Sequence, residues 1–178
     1  KALDVGCGDG ALLSLLARER RVRASGLELD RGKAHACVAR GLAVMQADAE
    51  AELAAFPAGA FDTVIFSRSL QGFRRPCAAL REAARIGAHV IVSVGNAAHW
   101  RSRPLLLTKG AMPEPPGWGG FEQVHRWSVR DFAALAGGAR LRIERAVPMS
   151  HTRPGAPFAK SLWRANWFAE EAVFLLSS

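Results

Sequence analysis

The sequence predicts an α/β fold built on an open, mostly parallel sheet, and three observations carry that reading. Segments of strand and helix character alternate from the first residues to about Val94. The apolar run Leu3-Asp4-Val5 breaks straight into the glycine-rich turn Gly6-Cys7-Gly8-Asp9-Gly10, and a leucine-rich helix opens immediately after it. An acidic residue then stands at the end of each of the first three strands, as Asp4, Glu28 and Asp48.

The glycine turn comes first because it locates the site. Glycine has no Cβ, so backbone there can come close to a ligand above the carboxyl end of the first strand. No Gly-Lys-Ser/Thr follows, so this is no Walker phosphate loop. The dinucleotide spacing G-x-G-x-x-G is met only in part, with Ala11 at its last position. Asp4 discriminates between the remaining cofactors. A carboxylate just before the first glycine repels a pyrophosphate and suits an ammonium group, which favours S-adenosylmethionine (SAM) over NAD. A tight strand–helix connection is the alternative account of the glycines.

The first helix is expected over Ala11–Arg18, with Leu12, Leu13, Leu15 and Leu16 facing the sheet. Val22 to Leu27 leads to Glu28-Leu29-Asp30, a second strand ending in acid. Glu28 falls roughly 20 residues past Gly8, where doubly wound folds place a carboxylate for ribose hydroxyls; a surface acid is its bland alternative. A helix over Lys33–Arg40 stops at Gly41, and Ala43–Gln46 is a short third strand followed by Ala47-Asp48-Ala49, where Asp48 can accept from an adenine amine. A short helix, Ala51–Phe56, precedes a fourth strand, Phe61–Ser67, apolar enough to be buried on both faces. Arg68–Phe73 is the loop above it. Pro76 opens a helix to about Arg85, and His89–Val94 is the fifth strand, ending at Gly95–Trp100.

From Arg101 to Val124 the rhythm breaks, and a proline- and glycine-rich insert carrying Trp118 and Phe121 is read as irregular. Ser128 with Asp131 predicts a capping box for a helix over Val129–Ala136. Arg140–Val147 alternates as an edge strand, Pro148–Lys160 is a second irregular stretch, and Glu171–Leu176 is the last strand.

Composition bounds the rest. The chain has 178 residues, 49% of them hydrophobic, which suffices for one domain with its own core. Lys and Arg number 24 against 16 Asp and Glu, giving +8, and all but four of the cations are arginine. These charges are scattered rather than clustered, so a nucleic-acid role rests on the net balance alone. Cys7, Cys37 and Cys77 are odd in number and match no metal spacing, as in a reduced, cytoplasmic protein. There is no signal peptide or membrane-length apolar run, so no membrane role is expected. The chain begins inside its first strand, and a native segment is expected before it.

Leu3–Gly10, Cys37-Val38-Ala39-Arg40-Gly41, Phe61-Asp62, Ser67-Arg68-Ser69-Leu70-Gln71 and Asn96–Trp100 together resemble the MetW family, within the class I SAM-dependent methyltransferases. The resemblance runs over nearly the whole chain. It implies a Rossmann-like three-layer sandwich in one domain, residues 1–178, with a seven-strand sheet whose last strand is antiparallel. It also implies SAM or S-adenosylhomocysteine as ligand. Asp4, Gly6, Cys7 and Gly8 would cradle the amino-acid part. Glu28 would take the ribose hydroxyls, Leu29 would pack on the adenine, and Asp48 with Ala49 would meet its amine. Ser67 and Leu70 would close the pocket near the sulfur. The family is named for methionine biosynthesis and is associated with homoserine O-acyltransferase. Gly95-Asn96-Ala97-Ala98-His99-Trp100 departs from the family's Pro-Asn-Phe-Gly-His-Trp, and the chain has no tyrosine.

Chemistry beyond binding has few candidates. His99, and then His125, stand in loops above the strand ends as possible bases for methyl transfer, although a loop histidine is more often simply hydrogen-bonded. Trp100, Trp118, Phe121 and Trp127 suit a substrate lid, a protein anchor or a cover for the core. A small-molecule methyltransferase is the alternative reading of the whole, and an RNA methyltransferase a weaker one.

Overall fold

The computed structural model describes residues 1–20, 22–110, 125–150, 153–157 and 162–178. A single sheet runs through them. Its parallel part consists of β1 (Ala2–Val5), β2 (Ala24–Glu28), β3 (Val44–Gln46), β4 (Phe61–Ser67) and β5 (Gly87–Gly95). β6 (Arg142–Ser150) carries the two-residue β7 (Arg153–Pro154) on its outer side, and β8 (Glu171–Ser177) inserts antiparallel between β5 and β6. The order is β3-β2-β1-β4-β5-β8-β6-β7. The antiparallel final strand is as expected, and β7 adds a short eighth strand to the seven.

The core forms where apolar side chains meet across this sheet. Leu3, Val5, Val64, Phe66, Val92 and Val94 are fully buried in its centre. Phe132 from the helix α6 (Val129–Gly138) packs 4.6 Å, centroid to centroid, from Phe174 of β8. The capping box of α6 is present, with Ser128 and Asp131 satisfying each other's backbone. Pro76 is the first residue of α4 (Pro76–Ile86), where its missing N–H costs nothing. No described helix is long and apolar enough to cross a membrane.

Several expectations are corrected. In α1 (Ala11–Arg20) the four leucines do not share one face. Successive residues turn by about 100°, so with Leu13 buried Leu15 swings to the far side and is 51% exposed. The second strand stops at Glu28; Asp30 instead caps α2 (Arg31–Ala39), its carboxylate accepting from Lys33 N–H at 2.8 Å. The helix expected over Ala51–Phe56 begins earlier, as α3 (Ala49–Glu52), and tightens into a 3-10 turn over Leu53–Ala55.

The stretch read as irregular from Arg101 contains a helix, α5 (Ser102–Lys109). Pro104 falls in its first turn, where donors have no intrahelical partner anyway, and Gly110 closes it with an N–H to Leu106 O of 3.0 Å. Trp118 and Phe121 lie outside the described residues. Pro148–Ser150, also read as irregular, completes β6, and a bulge between Ile143 and Arg145 breaks the strict alternation read there. A helix that sequence reading did not identify, α7 (Leu162–Phe168), precedes β8.

Candidate functional site

The carboxyl ends of β1, β2 and β4 meet at the glycine turn. Gly6 N–H and Cys7 N–H both donate to Leu27 O, at 2.8 and 3.0 Å, and Gly10 N–H donates to Cys7 O. Gly8 N–H donates to Glu28 Oε2 at 2.7 Å. These donors are therefore committed within the protein. With four of the turn's N–H groups so committed, little of a phosphate-binding nest remains here. What the turn does provide is space. Gly6 has φ +74°, and a Cβ there would lie 2.6 Å from Ser69 Cβ, so glycine is required for the turn to close on the loop after β4. Gly8, at φ +58°, has nothing within 4 Å of where a Cβ would stand.

Asp4 is the most unusual group in the molecule. It is 1% exposed, and neither carboxylate oxygen has a hydrogen-bond partner. Burial, and then the nearby Glu28 charge, push its pKa up to about 7. Buried carboxylates are ordinarily paired, because leaving one unpaired costs several kcal/mol, on the order of the loss of a charged hydrogen bond or more. Asp4 thus stands unsatisfied at the end of the strand that leads into the glycine turn. Glu28, by contrast, is buried but held, with Oε1 accepting from Asp30 N–H at 2.9 Å and Oε2 from Gly8 N–H. An ionised carboxylate has about four acceptor positions, so lone pairs remain for hydroxyl donors.

The other expected cofactor residues are placed as follows. The Cys7 thiol is pushed up to about 12, first by burial and then by Asp4, Cys37 and Glu28, so it stays protonated and fills space. Leu29 is 67% exposed beside Glu28, free to cover a flat ring. Asp48 Oδ1 accepts from Glu50 N–H at 2.9 Å as the cap of α3, at whose first residue Ala49 stands. Ser67 ends β4 exposed, whereas Leu70 is fully buried and belongs to the core rather than to an open wall. His99 is buried in the turn after β5, its Nδ1 accepting from Arg101 N–H at 3.4 Å. His125 stacks on Trp127, centroids 5.3 Å apart. Among the described residues, neither histidine hydrogen-bonds to the glycine turn. Among the described residues no cluster could hold a metal.

Four residues to which sequence reading gave no role hold this rim together. Arg68, at φ +57°, donates its backbone N–H to Ser93 Oγ at 2.9 Å and forks onto Glu171, with Nη2 to Oε2 at 2.7 Å. Ser69 Oγ donates to Val5 O. The buried Gln71 accepts from Gly95 N–H at 3.1 Å through its side chain and from His125 N–H at 3.0 Å through its carbonyl. The buried Asn96 donates to Asn166 O and Ala169 O, at 3.0 and 2.8 Å, and accepts from Ala98 N–H at 3.1 Å, which fixes α7 over the end of β5. Beside Arg68 and Ser69, Gln71 carries no local signal of its burial; nothing local marked the Arg68–Glu171 pair, 103 residues apart.

A family model described as methionine biosynthesis protein MetW matches residues 1–176. The bifunctional methionine biosynthesis protein MetXA/MetW of Rhodopirellula baltica is 32% identical over 142 residues, covering 75% of this chain and 23% of that protein. The chain thus spans about a quarter of the length of that relative. Among solved structures, a SAM-dependent methyltransferase of Thermotoga maritima, described as a possible histamine N-methyltransferase, superposes with TM-score 0.69 at 16% identity, over 99% of this chain and 81% of its own. The [4+2]-cyclase SpnF gives 0.70 at 15% identity, over 99% and 74%. The fold is therefore shared by proteins named for different reactions, and it does not by itself fix the chemistry. By sequence and architecture together, this chain belongs to the MetW family of methionine biosynthesis proteins and has the class I methyltransferase fold.

Proposed function

We propose that the cleft at the ends of β1 and β2 binds SAM or S-adenosylhomocysteine, and that the protein serves methionine biosynthesis in the cytoplasm alongside homoserine O-acyltransferase. One observation carries the ligand: Asp4, a buried carboxylate with no hydrogen-bond partner, lies in β1, the strand that runs into the glycine turn. The ammonium of SAM supplies the missing cation. Its ribose hydroxyls meet the free lone pairs of Glu28, Leu29 covers the adenine, and the free oxygen of Asp48 accepts from the ring amine. The spent N–H groups and the two carboxylates disfavour a pyrophosphate, which argues against NAD in the same place.

SAM supplies a sulfonium methyl group, and this chain's residues bind and orient it. Asp4 and Glu28 are assigned to binding, and the reading does not require transfer of the methyl group. The acyltransferase partnership is supported by the R. baltica relative, whose name joins MetXA to MetW in one protein. The test is to mix this chain with the homoserine O-acyltransferase of the same organism, with and without SAM. Co-elution and a changed acylation rate are expected. Separate elution together with an unchanged rate would overturn the partnership.

A further inference from the structure

On the far side of β8 the sheet edge carries a second concave feature. A cavity of about 730 Å³ opens between β7, the segment after it and α7. Pro148, Pro154 and Phe168 give it apolar walls, Arg153 and Arg164 stand on its rim, and among the described residues no carboxylate lines it. Among the described residues neither arginine has an ion-pair partner. Arg164 and Phe168 lie one helical turn apart and so share a face of α7. The next face carries Trp163, 64% exposed, and Trp167, over whose ring the Arg103 guanidinium sits at 3.7 Å. Trp100 joins them, donating its backbone N–H to Trp167 O at 2.8 Å.

Exposed tryptophan, phenylalanine and arginine around a cavity are the residues from which protein-interface anchors are built. Unpaired arginines select for acidic groups, and proline walls lose little entropy on binding. We propose that this face docks the homoserine O-acyltransferase. An acidic segment of the acyltransferase places carboxylates on Arg153 and Arg164 and an apolar side chain in the cavity. This rests on the partnership proposed above. The location has a consequence. β6 lies four positions along the sheet from β1, about 19 Å at the usual strand spacing. The docked partner therefore leaves the cofactor cleft open, and SAM and the acyltransferase bind together.

The test is titration of the full chain with the acyltransferase of the same organism, at low and high salt and with saturating SAM. The variants are R153E/R164E, F168A and, as a control on a distant helix, R18E. We expect binding to fall at least thirtyfold in R153E/R164E and about tenfold in F168A, with R18E and SAM affinity within twofold of wild type. Equal weakening by R18E, or acyltransferase affinity within twofold of wild type in both surface variants, overturns the docking face and leaves the partnership standing. If R153E/R164E also loses SAM binding, F168A decides. Failure of the wild-type chain to bind the acyltransferase, including a preference for RNA at this face, overturns partnership and face together. Displacement of the acyltransferase by SAM overturns the separate placement.

Discussion

Asp4→Asn separates a residue kept for binding from one kept for stability. In the free protein the Asp4 carboxyl holds its proton up to about pH 7, from an ordinary value of 3.8. Because the folded-state pKa is raised, the unfolded chain releases this proton first as pH rises. Stability contributed by the neutral form is present below about pH 4, is lost as pH rises, and levels off above about 7. A shift of about three units corresponds to a cost of about 4 kcal/mol at pH 8. Asparagine never ionises, but its amide is still buried without a partner, which returns about 1–3 kcal/mol of that. The net expectation for the free protein is stabilisation by about 1–3 kcal/mol at pH 8 and destabilisation by about 1–3 kcal/mol at pH 4, where the wild-type carboxyl is already neutral and only the amide cost remains. Urea denaturation at both pH values measures it. The same substitution weakens SAM by tenfold or more, the loss of a charge-assisted contact of about 1.5–3 kcal/mol. A variant that is destabilised at pH 8, or shifted equally at both pH values, would refute the claim that Asp4 is an unpaired buried carboxylate.

Three further outcomes follow from the same geometry. Gly8→Ala should keep the fold, at a cost of about 1–2 kcal/mol for its left-handed backbone, yet lose SAM affinity. Gly6→Ala should cost more, because its Cβ also collides with Ser69; thermal melts with calorimetry separate the two. Glu28→Ala should weaken SAM by about 1–3 kcal/mol and also lower stability, since Gly8 N–H and Asp30 N–H lose their acceptor; unchanged SAM affinity would remove Glu28 from the ribose. Asn96→Ala should destabilise by about 2–4 kcal/mol, read by chemical denaturation, because it strands carbonyls at the end of α7 while leaving the glycine turn untouched.

Much of this was legible in the sequence, for local reasons. The strands could be read because their apolar runs are bounded by turn residues, and α6 because Ser128 and Asp131 form a capping box within four residues. The order of glycines and acids pointed to the carboxyl ends of β1 and β2, where the cofactor cleft is proposed. What escaped reading depends on partners far along the chain. Asp30 and Asp48 looked like strand-end acids of one kind with Glu28, yet both cap helices, since the choice depends on where the backbone turns. α5 was hidden by a proline that sits harmlessly in its first turn. The N–H groups of Gly6, Cys7 and Gly8 find their acceptors on β2, at Leu27 O and Glu28, which the order of residues does not show. Leu70 reads as a pocket wall by its place after β4, but the loop turns it into the core.

The most direct measurement is calorimetric titration with SAM from pH 5.5 to 8, on the wild-type chain and on Asp4→Asn. Because Asp4 must give up its proton to meet the ammonium, wild-type affinity should rise about tenfold per pH unit until about pH 7 and then flatten. The variant should bind weakly and without that slope. Absence of binding by the folded wild type, or an affinity with the same pH dependence in both proteins, would contradict the assignment of Asp4 to the cofactor.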